Sequence, residues 1–561
     1  MLCTQHPSLR LRLTPEFDEN GVSALSIFLK IDVPFFNTEQ PIFLFDTFTD
    51  NVPGHPYRSV DVNAYDDDGP VVFTFHDIPS SNRNTQQEWR VNRQTKGSIT
   101  LELKAFPRKV SETTPLGARI DLRRDQGGLQ GVGSWFLPRL ISDQTYSTIV
   151  EWDIPSDAPA GTRCVWSLGE GHDPVVVEGP ADIVCKTVFM VGPIQSYPDA
   201  KSPNDSAAAC YWFGNLPPNF DRAKTYNTKL YSRMASFFEV EGGSYRVFIR
   251  KTQVGYGGTG FLSSYVLEYD DSTAEVSDDE LLLLFTHEMV HSFAEMSDEE
   301  DGYDNDWFRE GLAELYSSYL PYRFGLRDKD FLIRSINHHL QGYFSSPKIH
   351  MDIRDATSQI FDDWYAEWIG YKRGCAYLLF VDCLLRKRDG QLDMSKNGRI
   401  DRVIIDLARR WRKGQRVCAA DWLVEIRKLV SPDDLDLEDH FWGMIEGRRV
   451  MDFENLYFDN EPFCSTSLPI LEFGFDKKSR RTRVISGVVQ GSNAEAAGLR
   501  DGLALLSASQ PSACVEDVCE TFRLFVDGGG RERLIEFLPR TKDKAPSWQV
   551  SGPRNKSLLE N

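Results

Sequence analysis

The stretch Thr286-His287-Glu288-Met289-Val290-His291 holds the residue types of a metal site with its own base. His287 and His291 are four apart, and on a helix that spacing brings both imidazoles to one face, one turn apart, where they can converge on a single ion. Glu288 stands beside the first of them, within reach of a water activated by the metal. The residues before the motif, Asp278-Asp279-Glu280-Leu281-Leu282-Leu283-Leu284-Phe285, open with acids and continue apolar. That order predicts a buried helix running into the motif and through His291. Histidines on such a helix require partners.

A catalytic zinc site takes three protein ligands and keeps one position open. Apolar residues at 308, 312, 315, 316 and 319 predict a second helix. Glu310, with eighteen residues between it and His291, projects from that helix as the third candidate ligand. Glu314, one turn further, is spaced to hydrogen-bond a ligating histidine from behind. The expected cofactor is zinc, one ion per chain, and the expected chemistry is hydrolysis with Glu288 as general base.

The pattern HExxH, eighteen residues, then Glu resembles the gluzincin metallopeptidases, and Trp307-Phe308-Arg309-Glu310-Gly311 resembles the glycyl aminopeptidase family among them. The resemblance implies a multidomain α+β chain. Its parts would be an N-terminal all-β domain, a thermolysin-like, mostly α catalytic domain with a small sheet, and a C-terminal PDZ-like β domain. It also implies His287, His291 and Glu310 as zinc ligands and Glu288 as the base, the same four residues that spacing singles out. The family carries a Tyr-x-Lys-Gly signature whose tyrosine hydrogen-bonds the developing oxyanion. Here it reads Tyr371-Lys372-Arg373-Gly374, with Arg in place of Lys and Tyr371 in its place. A phenol donor beside a metal suits a tetrahedral intermediate.

Gly255-Tyr256-Gly257-Gly258-Thr259-Gly260 contains the letters GxGxxG. A strand over Tyr245 to Arg250 precedes them, but Phe261 to Tyr269 reads as another strand, where a dinucleotide fingerprint needs a helix; nucleotide binding is rejected. The family resemblance places an edge strand here whose Glu grips the substrate's free α-amino group. Gly260 and Phe261 stand where that Glu and the following His are expected. Without the carboxylate, an endopeptidase fits as well as an aminopeptidase. Gly257, Gly258 and Gly260 remain candidates for close approach by a substrate backbone. A peptide-binding scaffold with a vestigial zinc site, and hydrolysis of a non-peptide amide or ester, are the other readings. The loop Ser297 to Asp306 is acidic but fails the calcium-loop template: with Gly302 at position six, position twelve is Phe308 and no carboxylate closes the loop.

The formal net charge of −20 disfavours nucleic acid and anionic membranes as partners and leaves a peptide or protein substrate. No run approaches the roughly 20 apolar residues of a membrane span. The first residues lack a charged stretch followed by an apolar one, so a signal peptide is not expected and a cytoplasmic location is. Ten cysteines lie scattered without framework spacing, as reduced thiols do.

Along the chain, residues 1–190 alternate short apolar runs with turns and predict the β domain. His55, His76 and His172 are isolated there and read as structural or surface residues. Residues 191–458 hold a helix over about 220–240, strands and the two metal helices, and are mostly helical afterwards. His338 and His339 point about 100° apart on a helix, which disfavours a shared metal and suggests surface or pocket lining. Residues 459–545 return to β character. Leu471-Glu472-Phe473-Gly474-Phe475 resembles the carboxylate-binding loop of a PDZ domain, with Phe473, Gly474 and Phe475 facing a C-terminal peptide ligand, and Gly491 to Leu499 resembles the short PDZ helix. Residues 546–561 read as a polar tail.

Overall fold

A computed structural model describes residues 6–32, 36–38, 40–78, 84–111, 114, 117–199, 207–253, 255–297, 299, 305–432 and 435–551. Residues 298 and 300–304 of the acidic loop, and 552–561 of the expected tail, lie outside the described residues, while residues 546–550 of that tail belong instead to the strand Arg540–Val550, whose pairing with Glu461–Leu471 holds them in the fold. The chain packs as two compact units, one of residues 1–232 and 242–278, the other of residues 233–241 and 279–561.

The first unit is β throughout its N-terminal part, as the alternation predicts. In Ser8–Asp18, Leu9, Leu11 and Leu13 point inward and pair in register with Ile31, Leu29 and Ile27 of Gly21–Ile31. Ser8–Asp18 also runs parallel to Thr145–Trp152, inside a seven-stranded sheet. A second sheet of this unit contains Ile194–Tyr197 (β1), Ala208–Phe213 (β2), Tyr245–Lys251 (β3), Gly257–Phe261 (β4) and Ser264–Tyr269 (β5) in the order β1-β2-β3-β5-β4. The single strand expected over 261–269 is instead a hairpin. Leu262 and Ser263 form its turn, Ser263 at φ +52°, and the glycines before it are themselves the edge strand β4. Glycine is depleted in strands, so residue preferences alone do not mark β4, which only the family resemblance places here as an edge strand.

The second unit is built on helices. Asp278–Val290 (α1), Asp306–Arg323 (α2), Lys329–Phe344 (α3) and Gly374–Asp389 (α4) are joined by loops and shorter helices. Trp307 anchors the start of α2: its indole donates to Asn305 Oδ1 at 2.9 Å and packs edge-on against Phe441, Tyr377 and Trp422. Ile369–Arg373 forms one π-type turn directly before α4. After residue 458, Glu461–Leu471 (β6) pairs antiparallel with Arg540–Val550 (β10), and Ala504–Ala508 (β7), Phe522–Asp527 (β8) and Glu532–Phe537 (β9) make a three-stranded sheet. Pro511–Glu516 (α5) lies between β7 and β8. Trp364 belongs to the apolar core of this last segment, stacked on Phe473 at 4.5 Å. Among the described residues no helix is long and apolar enough to cross a membrane.

Candidate metal centre

The expected convergence of α1 and α2 is present. His287 Nε2 lies 3.1 Å from Glu310 Oε2 and 3.2 Å from His291 Nε2, and His291 Nε2 lies 3.4 Å from Glu310 Oε2. Three donors held about 2.0–2.1 Å from one tetrahedral ion stand about 3.3 Å apart, so the three atoms fit zinc in spacing as well as in type. The two imidazoles meet nearly edge-on, 78° between planes. Burial opposes ionisation of Glu310, but the two histidines outweigh it and hold its carboxyl well below the usual range. Glu288 is buried on α1 next to His287. The helix expected through His291 ends one residue early, at Val290, and His291 sits on the following turn, where the amides of Ser292 and Phe293 bond back three residues. Such tightening is common at helix ends and leaves the four-residue spacing effective.

Each histidine is aimed by a carboxylate on its other nitrogen. Glu314 Oε1 approaches His287 Nδ1 at 3.5 Å, as its spacing suggested. Glu295 Oε1 lies 3.1 Å from His291 Nδ1. Both rings thereby present Nε2 to a common point. Sequence reasoning passed over Glu295, although it stands four residues after His291, the same interval that flagged the histidines.

Tyr371, on the π-type turn, stacks parallel to His287, with 5.9 Å between ring centroids and 7° between planes. Burial, with the fields of Glu310, Asp306, Glu367 and Glu288, pushes its phenol well above the usual range, so it stays a hydrogen-bond donor. Arg373, at the signature's variant position, is fully buried and donates to Met444 O at 3.1 Å and Ile349 O at 2.9 Å. It works as a backbone clamp. Gly374 has to be glycine: a Cβ there would lie 2.0 Å from Trp307 O.

Gly257, Gly258 and Gly260 lie in β4 of the first unit. The space beside Gly257 is filled by Arg119, whose guanidinium would meet an added Cβ at 2.2 Å and donates to Gly258 O at 3.0 Å. Glu268, opposite Gly257 on β5, is buried and held by Arg250 at 2.7 Å, with Arg123 at 3.4 Å and Arg119 at 3.7 Å. Phe473 and Phe475 point into the core of the C-terminal segment, and Gly474, at φ +75°, packs against Ser492 and Ala494. The Phe473 amide donates to Tyr365 Oη at 3.2 Å. His339, expected at the surface or lining a pocket, is buried, because Glu314 Oε2 takes its Nδ1 at 2.7 Å. The nine described cysteines are all free.

No family model and no curated protein matches the chain. Solved structures do. A crystal structure of an aminopeptidase N family protein from Idiomarina loihiensis aligns over 97% of this chain and 98% of its own, at a TM-score of 0.65 and 14% identity. An M1 zinc metallopeptidase from Deinococcus radiodurans, crystallised as a mutant with a Tyr-Ser-Ala substrate, aligns over 80% of this chain and 95% of its own, at a TM-score of 0.49 and 15% identity. The first likeness shows the fold: this chain has the multidomain architecture of that aminopeptidase N family protein, an N-terminal β part followed by a helical part.

Proposed function

We propose that this protein is a zinc-dependent metallopeptidase, with His287, His291 and Glu310 as the ligands, Glu288 as general base and Tyr371 as oxyanion donor. The observation that carries the reading is the set of 3.1, 3.2 and 3.4 Å separations among three ligand atoms, with a buried glutamate one residue from the first. The fold shared with the Idiomarina loihiensis aminopeptidase N family protein supports it.

The chemistry zinc supplies when bound at such a site is polarisation of the substrate carbonyl and a lowered pKa for water. Glu288 removes the proton from the attacking water and delivers it to the leaving amine. Tyr371, kept protonated, donates a hydrogen bond to the oxygen as negative charge grows there. Glu314 and Glu295 keep the two imidazoles in the tautomer that offers Nε2.

Within this class the resemblance reads as an aminopeptidase, with an endopeptidase as the alternative. An aminopeptidase needs a carboxylate free to pair with the substrate's amine. Position 260 is glycine where the resemblance expects that carboxylate, and this keeps the endopeptidase reading as the alternative. The Phe473 amide, expected to face a C-terminal peptide, is taken by Tyr365 Oη.

The test is cleavage of a peptide library by zinc-loaded protein, with free and blocked N-termini compared by mass spectrometry. Stepwise trimming of free N-termini alone would make it an aminopeptidase; internal cuts in blocked peptides would make it an endopeptidase. Glu288→Gln should retain zinc and lose about 10²–10⁴-fold in rate. Undiminished cleavage by Glu288→Gln would remove Glu288 as the base, and wild-type protein that cuts no peptide would favour the scaffold.

A further inference from the structure

The contacts behind the metal centre continue past Glu314. Its Oε2 accepts from Lys372 Nζ at 2.7 Å and from His339 Nδ1 at 2.7 Å. The same ammonium donates to Glu516, the last residue of α5, 144 residues further along the chain. His339 Nε2 lies 3.2 Å from Ser318 Oγ, which fixes the ring. The Lys372 side chain is 2% exposed and that of Glu516 is 23% exposed.

Glu314, His339 and Glu516 could by themselves hold a metal, since one donor atom of each lies within 4.8 Å of the others. Lys372 Nζ donates to both carboxylates and lies 3.2 Å from His339 Nδ1. The fixed ammonium is therefore the cation of this nest. A carboxylate as deeply buried as Glu314 needs such a partner, and a lysine lying between two carboxylates is held in place where a lysine with one would swing.

The C-terminal segment grips this region elsewhere too. Lys477 Nζ donates to Ile360 O at 2.7 Å and Asp363 O at 3.2 Å, and Trp364 Nε1 donates to Phe475 O at 2.7 Å. Asn337 on α3 exchanges two hydrogen bonds with the backbone of Val550, at 2.8 and 3.0 Å. The chain from 360 to 372, which carries both Tyr371 and Lys372, is thus held from the C-terminal side along its length.

We propose that Lys372 and Glu516 are positioning residues of the metal centre: Glu516, from the C-terminal segment, holds the Lys372 ammonium on Glu314 and so holds Glu314 against His287. The C-terminal segment is then part of the metal site. This rests on the zinc reading above. Glu516 touches no ligand and no substrate, so its effect should appear as weaker zinc binding and lower kcat, with KM unchanged.

The experiment is zinc affinity by competition with a chromogenic chelator, on full-length wild-type, Glu516→Gln, Lys372→Met and double-variant protein, with melting of each metal-free form alongside. Glu516→Gln should bind zinc about tenfold more weakly, with kcat reduced at saturating zinc and KM within twofold. The double variant should lose less than the product of the two single losses, because both residues act through Glu314. Glu516→Gln is the milder change; should Lys372→Met fail to fold, Glu516→Gln and Glu516→Ala decide the matter. Zinc affinity within twofold of wild type in the folded Glu516 variants would overturn the proposal and leave the zinc reading standing. Wild-type protein that binds no zinc would instead remove the reading on which it rests.

Discussion

The phenol ring of Tyr371 lies parallel to the imidazole of His287, 7° between planes and 5.9 Å between centroids. The stack sets the tyrosine's direction relative to a candidate zinc ligand without using its hydroxyl. Trp368 also meets the ring, edge-on, 5.7 Å away at 61°. Tyr371→Phe keeps both ring contacts and removes only the donor. It should lower kcat by about 10²–10³-fold, the cost of one oxyanion donor, with KM and zinc content unchanged. Steady-state kinetics with metal analysis checks this, and an unchanged kcat would take Tyr371 out of the mechanism.

The approach of α2 to the Tyr371 turn depends on two glycines facing each other. A Cβ on Gly311 would lie 2.5 Å from Gly374 C and 2.7 Å from Cys375 N, backbone atoms that cannot swing aside. Glu310 is the preceding residue on α2, so the close approach that brings the third ligand to its place also leaves no room for a methyl group. Gly311→Ala should destabilise the fold by about 3 kcal/mol and weaken zinc binding. Urea denaturation of the metal-free protein separates the first effect from the second. A stability within 0.5 kcal/mol of wild type, roughly what a surface substitution gives, would show that the helices can separate at no cost.

What the sequence disclosed of this site was its local part. His287, Glu288 and His291 share one helical turn, and Glu310 and Glu314 share another, so spacing alone grouped them. The β character of the first 190 residues was equally legible, because burial on one face writes a two-residue period. Glu268, Lys372, His339 and Glu516 were not, because their roles come from partners brought in by the fold. Lys372 lies 58 residues from Glu314 and 144 from Glu516, and nothing in a lone lysine announces that its ammonium is buried. The edge strand β4 was expected only through the family resemblance, because three of its five residues are glycines, which carry no pattern of their own.

Glu295 gives a test of how the second imidazole is aimed. Its carboxylate lies 3.1 Å from His291 Nδ1 and is itself 3.8 Å from the Arg309 guanidinium, one residue before Glu310. Glu295→Gln keeps the size of the side chain and removes the charge that orients and strengthens the ligand. Zinc affinity should fall about 10–100-fold, while Glu295→Asp should recover part of the loss. Wild-type protein stripped with a chelator should lose activity and regain it with one equivalent of zinc. An unchanged dissociation constant in Glu295→Gln would mean that His291 is positioned by the backbone alone.

His55 supplies a pH test in the first unit, away from the metal residues. Its ring is buried, 4.3 Å from Tyr57 and edge-on to Trp135 at 5.4 Å, and its Nε2 accepts the Phe106 amide at 3.1 Å. Acceptance requires that nitrogen to be unprotonated. Burial pushes the group down to about 4, against a smaller opposing pull from Asp61. The unfolded chain binds the proton near pH 6.5, so the unfolded state gains protons first as pH falls. His55 therefore costs nothing above about pH 6.5, removes stability progressively between there and about pH 4, and adds no further loss below. The full loss is about 3 kcal/mol. His55→Gln can still accept the Phe106 amide through its amide oxygen but cannot titrate. Its stability, measured by urea denaturation across pH 7 to 4, should fall less steeply than that of wild type, and parallel curves would show that His55 titrates normally in the fold.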